Sequence, residues 1–127
     1  MTLTCKAILF DLDGVLVDST QAVERVWRRW AHAHGLDPEL VLEHAHGRRS
    51  VETIRMVAPE LNAEEENFKV EGMEIADTEG IVSIPGAREL LRSLPPGNFA
   101  VVTSATRALA AARLQSQWRP PQQRKHA

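Results

Sequence analysis

One cysteine, Cys5, stands in the whole chain. An internal disulfide is therefore excluded, and the fold has to close by burial and hydrogen bonding, as proteins of a reducing cytosol do. Cys5 itself is expected to serve as a small apolar residue beside the first strand. Net charge is also scarce. The formal value is -2 at pH 7 and the pI is near 6.2, which gives no basis for a nucleic-acid or membrane partner held by bulk electrostatics. No hydrophobic run approaches the length that spans a bilayer, and Met1 to Lys6 leads straight into a strand rather than a signal-peptide core. No internal repeat is visible. These absences point to a cytoplasmic protein with neither nucleic-acid nor membrane partners.

What is present suits one ordinary α/β domain. The 127 residues are 43% hydrophobic and 25% charged, enough for one core and not for two large ones. The run Lys6 to Phe10 predicts a central strand, covered on both faces in a parallel sheet. From Ser19 the period changes. Val23, Val26, Trp27, Trp30 and His34 recur at helical spacing, with Glu24, Arg25, Arg28 and Arg29 on the opposite side, and Gly35 stops the helix. The two tryptophans read most simply as core or interface residues. Asp37-Pro38 predicts the N-cap and first-turn proline of a second helix reaching His46 and ended by Gly47. Ser50 is expected to cap a third helix bearing Val51, Ile54 and Val57, closed by Pro59. Asn62 and Glu65 have capping-box spacing, and Glu64, Glu65 and Glu66 suit a helix N-terminus with no functional role.

Residues 20–79 thus read as a helical block without a strand of its own, inserted between two parts of an α/β core at 1–19 and 80–116. Ala87 to Leu94 predicts a short helix with Leu90, Leu91 and Leu94 on one side, and Pro95-Pro96-Gly97-Asn98 a turn. Phe99 to Thr103 predicts a second buried strand, followed by a helix from Arg107 to Gln115. Residues 117–127 are basic, contain two prolines and lack periodicity, so a disordered or loosely attached tail is expected there.

The chemistry concentrates where the first strand ends. Asp11 and Asp13 follow an apolar run and precede Gly14, which allows a sharp turn that brings both carboxylates round one small volume. A carboxylate so placed can attack phosphorus and form an aspartyl phosphate if a cation offsets the repulsion between two anions. Magnesium, held by Asp11 and Asp13 and by the substrate phosphate, is the economical choice. Asp11 is then nucleophile and metal ligand, and Asp13 the general acid and base. Ser104, at the end of the second strand, is placed to bond a phosphoryl oxygen, with the amides of Ala105 and Thr106 opening the next helix as an anion site. Each has a plainer reading as well: Asp18-Ser19 and Ser104 as helix caps, Arg48 and Arg49 as solvated charges. The pairs His32/His34 and His44/His46 do not share a helix face, which argues against a transition-metal site.

The segment Asp11-Leu12-Asp13-Gly14-Val15-Leu16-Val17-Asp18-Ser19 resembles the first motif of the haloacid dehalogenase superfamily, and Phe99 to Thr106 resembles the second. The helical block between them is similar to the small cap of that superfamily. His46-Gly47-Arg48-Arg49-Ser50, with Ile84-Pro85-Gly86-Ala87, further resembles its sugar- and polyol-phosphate phosphatases. The resemblance implies a Rossmann-like parallel core with an inserted helical cap, magnesium as cofactor and a small phosphorylated metabolite as substrate. It implies Asp11 as nucleophile, Asp13 as acid/base, Gly14, Ser104 and Ala105 at the phosphate, and Gly47 and Arg48 on the substrate side of the cap. Related phosphoglucomutases carry a histidine where Val23 stands, so transfer to water is favoured over transfer within a sugar. The resemblance stops near residue 115. The family's later lysine and acidic pair have no counterpart in a matching context, and Lys125 is the only lysine after Ser104. The chain is therefore expected to be an amino-terminal piece of a phosphatase, its parallel sheet incomplete and its exposed core edge open to self-association. A catalytically impaired piece that binds phosphate or a protein partner is the alternative.

Overall fold

The computed structural model describes residues 2–117. The chain enters β1, Ile8–Phe10, and turns through Asp11 to Leu16 into a short strand β2, Val17–Asp18. Four helices follow: α1, Thr20–Ala33; α2, Pro38–Ala45; α3, Ser50–Val57; and α4, Ala63–Ala76. After β3, Val82–Ser83, come α5, Ala87–Ser93, β4, Phe99–Val101, and α6, Arg107–Gln117.

Helix boundaries follow local chemistry. Gly35, at φ 66°, takes the left-handed conformation that ends α1. The Asp37 side chain accepts from the Glu39 amide at 3.0 Å, with Pro38 in the first turn, so α2 starts where a cap and a proline coincide. Asn62 Oδ1 accepts from the Glu65 amide at 3.2 Å to open α4. The third helix departs from expectation by one residue. Its N-cap position is Arg49, without a side-chain bond, and Ser50 is already helical.

α1–α4 pack on one another around Val26, Trp30, Val41, Ile54 and Val70, all buried. Trp27 and Trp30 meet edge to face with ring centroids 5.4 Å apart, the geometry aromatic quadrupoles favour. Glu66, in the acidic first turn of α4, has a role the sequence did not announce. It is buried and accepts from Trp30 Nε1 at 2.9 Å and Lys69 Nζ at 3.1 Å, with His34 Nε2 at 3.0 Å. Arg25 ties α1 to the end of α4 through Asp77, at 2.6 Å and 2.8 Å.

A second cluster gathers Phe10, Leu12, Leu16, Val17, Ile81 and Ala87, so burial divides between two modest clusters rather than forming one core. β1 and β4 pair in parallel, with Ile8 opposite Phe99 and Phe10 opposite Val101. β2 and β3 form an antiparallel ribbon, which periodicity could not announce because each strand is two residues long. β1 is shorter than expected and is not covered on both faces: Leu9 is 69% exposed, and β4 is its single sheet neighbour among the described residues. β4 likewise stops at Val101, and Val102 beyond it is exposed. Leu90 faces solvent while Leu91 and Leu94 pack inward. Cys5 is exposed rather than packed beside β1. Gln117 closes α6 instead of beginning a tail. The rest of that expected tail, Lys125 included, lies outside the described residues.

Candidate active site

β1 ends one residue before Asp11, so a turn rather than the pleat of a strand aims the carboxylates. Leu12, fully buried, anchors that turn. Its carbonyl accepts from the amides of Val15 at 3.3 Å, Leu16 at 2.9 Å and Val17 at 3.1 Å, and Gly14 donates to the Val17 carbonyl at 2.8 Å. Gly14 sits at φ 81°, a conformation that side-chain-bearing residues rarely adopt, so glycine makes the turn possible. With Leu12 held inward, Asp11 and Asp13 on either side are left toward the same cavity. The Leu12 amide donates to Asp11 Oδ1 at 2.7 Å.

The parallel register brings the second motif alongside. The Val102 amide donates to the Phe10 carbonyl at 2.7 Å, which carries the chain beyond β4 past the end of β1. Ser104 and Ala105 then border the same cavity as the two aspartates. The expected anion site is modified in detail. The Ala105 amide donates to Thr103 Oγ1 at 3.1 Å, and Thr106 caps α6 through the Leu109 amide at 3.3 Å, so Ser104 is not the cap.

The cavity measures about 340 Å³. Asp11, Asp13, Gly14, Gly47, Arg48, Ser104 and Ala105, singled out from sequence, line it, whereas Thr106 is not among its lining residues. The α2–α3 connection supplies Gly47, at φ 70°, and the exposed Arg48, whose guanidinium reaches toward His44 and Met56. Val23 and Trp27 form an apolar wall from α1.

Three further residues surround Asp13. Ser19 is buried, and its hydroxyl donates to Asp13 Oδ1 at 2.7 Å instead of capping α1; the Thr20 amide turns to Asp18 Oδ1 at 3.0 Å. Arg113, on α6, donates from Nη1 to Asp13 Oδ2 at 2.9 Å and from Nη2 to Glu74 Oε2 at 2.6 Å. Burial pushes the Glu74 carboxyl above the usual range, with Arg113 pulling it down and the Asp13 charge pushing it up further. Asp18 is held low by its bonds to Thr20. Sequence reasoning missed Ser19 as a site residue, and missed Glu74 and Arg113 altogether. The trailing serine of the first motif was the available signal for Ser19. Glu74 and Arg113 carried none, since a mid-helix charge reads as a solvated one.

Among the described residues no three His, Cys, Asp or Glu side chains converge to hold a metal unaided. Two carboxylates on one small cavity do fit magnesium, a hard cation that takes one or two protein carboxylates and completes its shell with phosphate and water.

A strand followed by a turn with two carboxylates, a parallel partner followed by a serine and a helical wall on the same cavity set the frame for comparison with known proteins. The chain is 44% identical over 114 residues to hexitol phosphatase A of Escherichia coli, covering 86% of this chain and 53% of that protein. It is 36% identical over 115 residues to 2-deoxyglucose-6-phosphate phosphatase 2 of Saccharomyces cerevisiae, covering 80% and 47%. The chain spans about half the length of these curated relatives. The crystal structure of a hydrolase from Pseudomonas syringae superposes with a TM-score of 0.72 at 23% identity, over 91% of this chain and 56% of that one, a likeness of fold. The description haloacid dehalogenase-like hydrolase matches residues 5–117, nearly all of what the structure describes, and the chain belongs to that family.

Proposed function

We propose that the chain carries the nucleophilic half of a magnesium-dependent phosphomonoester hydrolase acting on a small sugar or polyol phosphate. The observation that supports this reading is the meeting of Asp11, Asp13, Ser104 and Arg48, brought from three separate stretches of chain, on one cavity. Its volume, about 340 Å³, lies at the small end of ligand pockets and suits a metabolite rather than a polymer. The bacterial and yeast relatives act, by their names, on hexitol and 2-deoxyglucose phosphates.

In the proposed reaction Asp11 attacks phosphorus, forming the Asp11–phosphorus bond as the bond to the leaving alkoxide breaks. Asp13 gives its proton to that alkoxide, then takes one from the water that attacks the aspartyl phosphate and frees Asp11. Ser19 orients Asp13 through its 2.7 Å hydrogen bond. Ser104 donates to a phosphoryl oxygen. Residues 20–79 act as a cap over the core of 1–19 and 80–116, with Gly47 and Arg48 meeting the remote end of the substrate. The wall of Val23 and Trp27 offers no nucleophile that could divert the phosphoryl group from water. Asp11 and Asp13 would hold magnesium, which would supply the charge neutralisation that lets one anion approach another. A cytoplasmic setting accords with the single free thiol.

The test is phosphate release from hexitol, hexose and glycerol phosphates with magnesium. Release is expected, and Asp11→Asn is expected to lower it by about 10³-fold or more. Full turnover in that variant would sink the nucleophile assignment. No release from any ester would refute activity in this chain. A second reading, a protein-interaction piece that self-associates through its sheet edge, is favoured by Leu9, 69% exposed on β1.

A further inference from the structure

The cavity that Asp11 and Asp13 line takes its cations from two places. Arg113, on α6, bonds Asp13 at 2.9 Å and Glu74 at 2.6 Å, so one guanidinium serves both of those acids. Arg48 and Arg49 come from the α2–α3 connection and line the cavity together with His46, Gly47 and Ser50. They differ from the other arginines of the helical block. Arg25, Arg28 and Arg55 each meet a carboxylate oxygen at 2.6 Å, and Asp77, held low by its bond to Arg25, also feels the charge of Arg29. Arg48 reaches an imidazole nitrogen, His44 Nδ1 at 3.5 Å, and the Met56 sulfur, neither of them an acid. Arg49 has no hydrogen-bond or ion-pair partner among the described residues. The same wall is reinforced by α3, which begins at Ser50 without a side-chain cap, so the positive end of its dipole adds to the two guanidiniums.

All six charged lining residues enter the charge balance. With Asp13 carrying the proton that it gives to the leaving alkoxide, Asp11 and Glu74 against Arg113 leave one negative charge, and Arg48 with Arg49 brings two positive ones. A phosphate dianion and a magnesium ion cancel. One positive charge is left over, which a single carboxylate neutralises and a second phosphate dianion exceeds. The planar forks of two guanidiniums also match a carboxylate in shape.

We propose that Arg48 and Arg49 form a carboxylate subsite, and that the preferred substrate is a phosphate monoester with a carboxylate at the end away from the phosphate, a phosphorylated sugar acid rather than a neutral polyol ester. The inference rests on the reading proposed above, in which Asp11 and Ser104 take the phosphate.

The test compares two esters of one length, 6-phosphogluconate and glucitol 6-phosphate, which differ in carrying a carboxylate or an alcohol at the far carbon. Calorimetric titration of the Asp11→Asn chain with magnesium present reads binding without turnover. The acid ester is expected to bind at least about tenfold tighter than the polyol ester. In the same background, Arg48→Gln with Arg49→Gln is expected to bring that ratio below about twofold, and Arg48→Lys with Arg49→Lys to keep most of it, because the charge stays. The ratio is the readout, so a general loss of structure does not imitate the result. Equal binding of the two esters overturns the proposal, as does a ratio that survives both glutamines. A loss of affinity by the same factor for both esters also overturns it, since the arginines would then hold the phosphate. If the double glutamine variant does not fold, an unchanged ratio in Arg49→Gln alone overturns the proposal. Phosphate release by the parent chain separates the two levels. A tenfold binding preference without release from either ester leaves the subsite standing and strikes the phosphatase reading, whereas release from both esters at equal kcat/KM leaves that reading standing and overturns the subsite.

Discussion

The helical block and the strand region differ in how completely they satisfy themselves. In α1–α4, apolar faces meet apolar faces, Ile54 and Val26 are fully buried, and Glu66 collects an indole, an imidazole and an ammonium. In the strand region two strands of three residues pair on one side only among the described residues, and Leu9 and Val102 stay in water. The two carboxylates of the candidate site, Asp11 and Asp13, belong to the less complete region. They are held by the Leu12 turn, by Ser19 and by Arg113 rather than by a deep sheet. Local hydrogen bonding can thus set a site's geometry where global burial is thin, and the two properties should respond to different mutations.

The largest stability effect is expected in the helical block. Ile54→Ala empties a fully buried position and should cost about 2–5 kcal/mol, read from the shift in denaturant midpoint. An effect below about 1 kcal/mol would mean that the block is not the tighter of the two regions.

Glu66 probes the same block electrostatically. Glu66→Leu leaves the Trp30 N–H buried without its acceptor, at a cost of about 1–3 kcal/mol. The Trp30 indole, followed by the Lys69 and His34 bonds, holds the Glu66 carboxyl below the usual glutamate range against its burial. A carboxylate with a depressed folded-state pKa binds its proton more weakly in the folded chain. The stability it lends is complete above the usual glutamate range and is lost as pH falls through the depressed value. Acid titration of the melting temperature should therefore fall less steeply in Glu66→Leu than in the parent. Parallel curves would show that Glu66 does not carry this acid sensitivity. A smaller loss, about 1 kcal/mol, is expected for Asp37→Ala at the start of α2, measured by the same unfolding curves.

The contrast between regions also explains what was legible in sequence. Helices carry their own punctuation, and Gly35, Asp37-Pro38 and Asn62 with Glu65 marked three boundaries that the structure places at those residues or next to them. Three of the seven residues picked for the site, Asp11, Asp13 and Gly14, were legible because their motif fixes an acid-rich turn whose geometry depends on neighbours in sequence, while Ser104 and Ala105 reach the same cavity through the β1–β4 register and Gly47 and Arg48 through the α2–α3 connection. Strand burial was not legible, since an apolar run looks alike whether one or two faces are covered, and Leu9 shows the difference. The Asp13–Arg113 contact joins residues a hundred positions apart, and the Arg113–Glu74 contact joins two helices. Neither helix announces a buried charge, because the partner that makes burial tolerable is invisible along the chain.

The smallest effect on folding belongs to the sheet edge. Leu9 already faces water, so Leu9→Lys should change stability by no more than about 0.5 kcal/mol. Its consequence lies in association. An exposed apolar residue on a strand with an open side favours pairing with another chain, and a lysine there opposes it by charge and by solvation. Sedimentation velocity over a range of concentrations should show the parent chain shifting toward larger species while Leu9→Lys stays monomeric. A parent chain that remains a compact monomer at every concentration would count against the open edge as an interaction surface. It would also show that incomplete covering of β1 is tolerated, leaving the turn at Leu12 and the ties to Asp13 as what keeps the site in place.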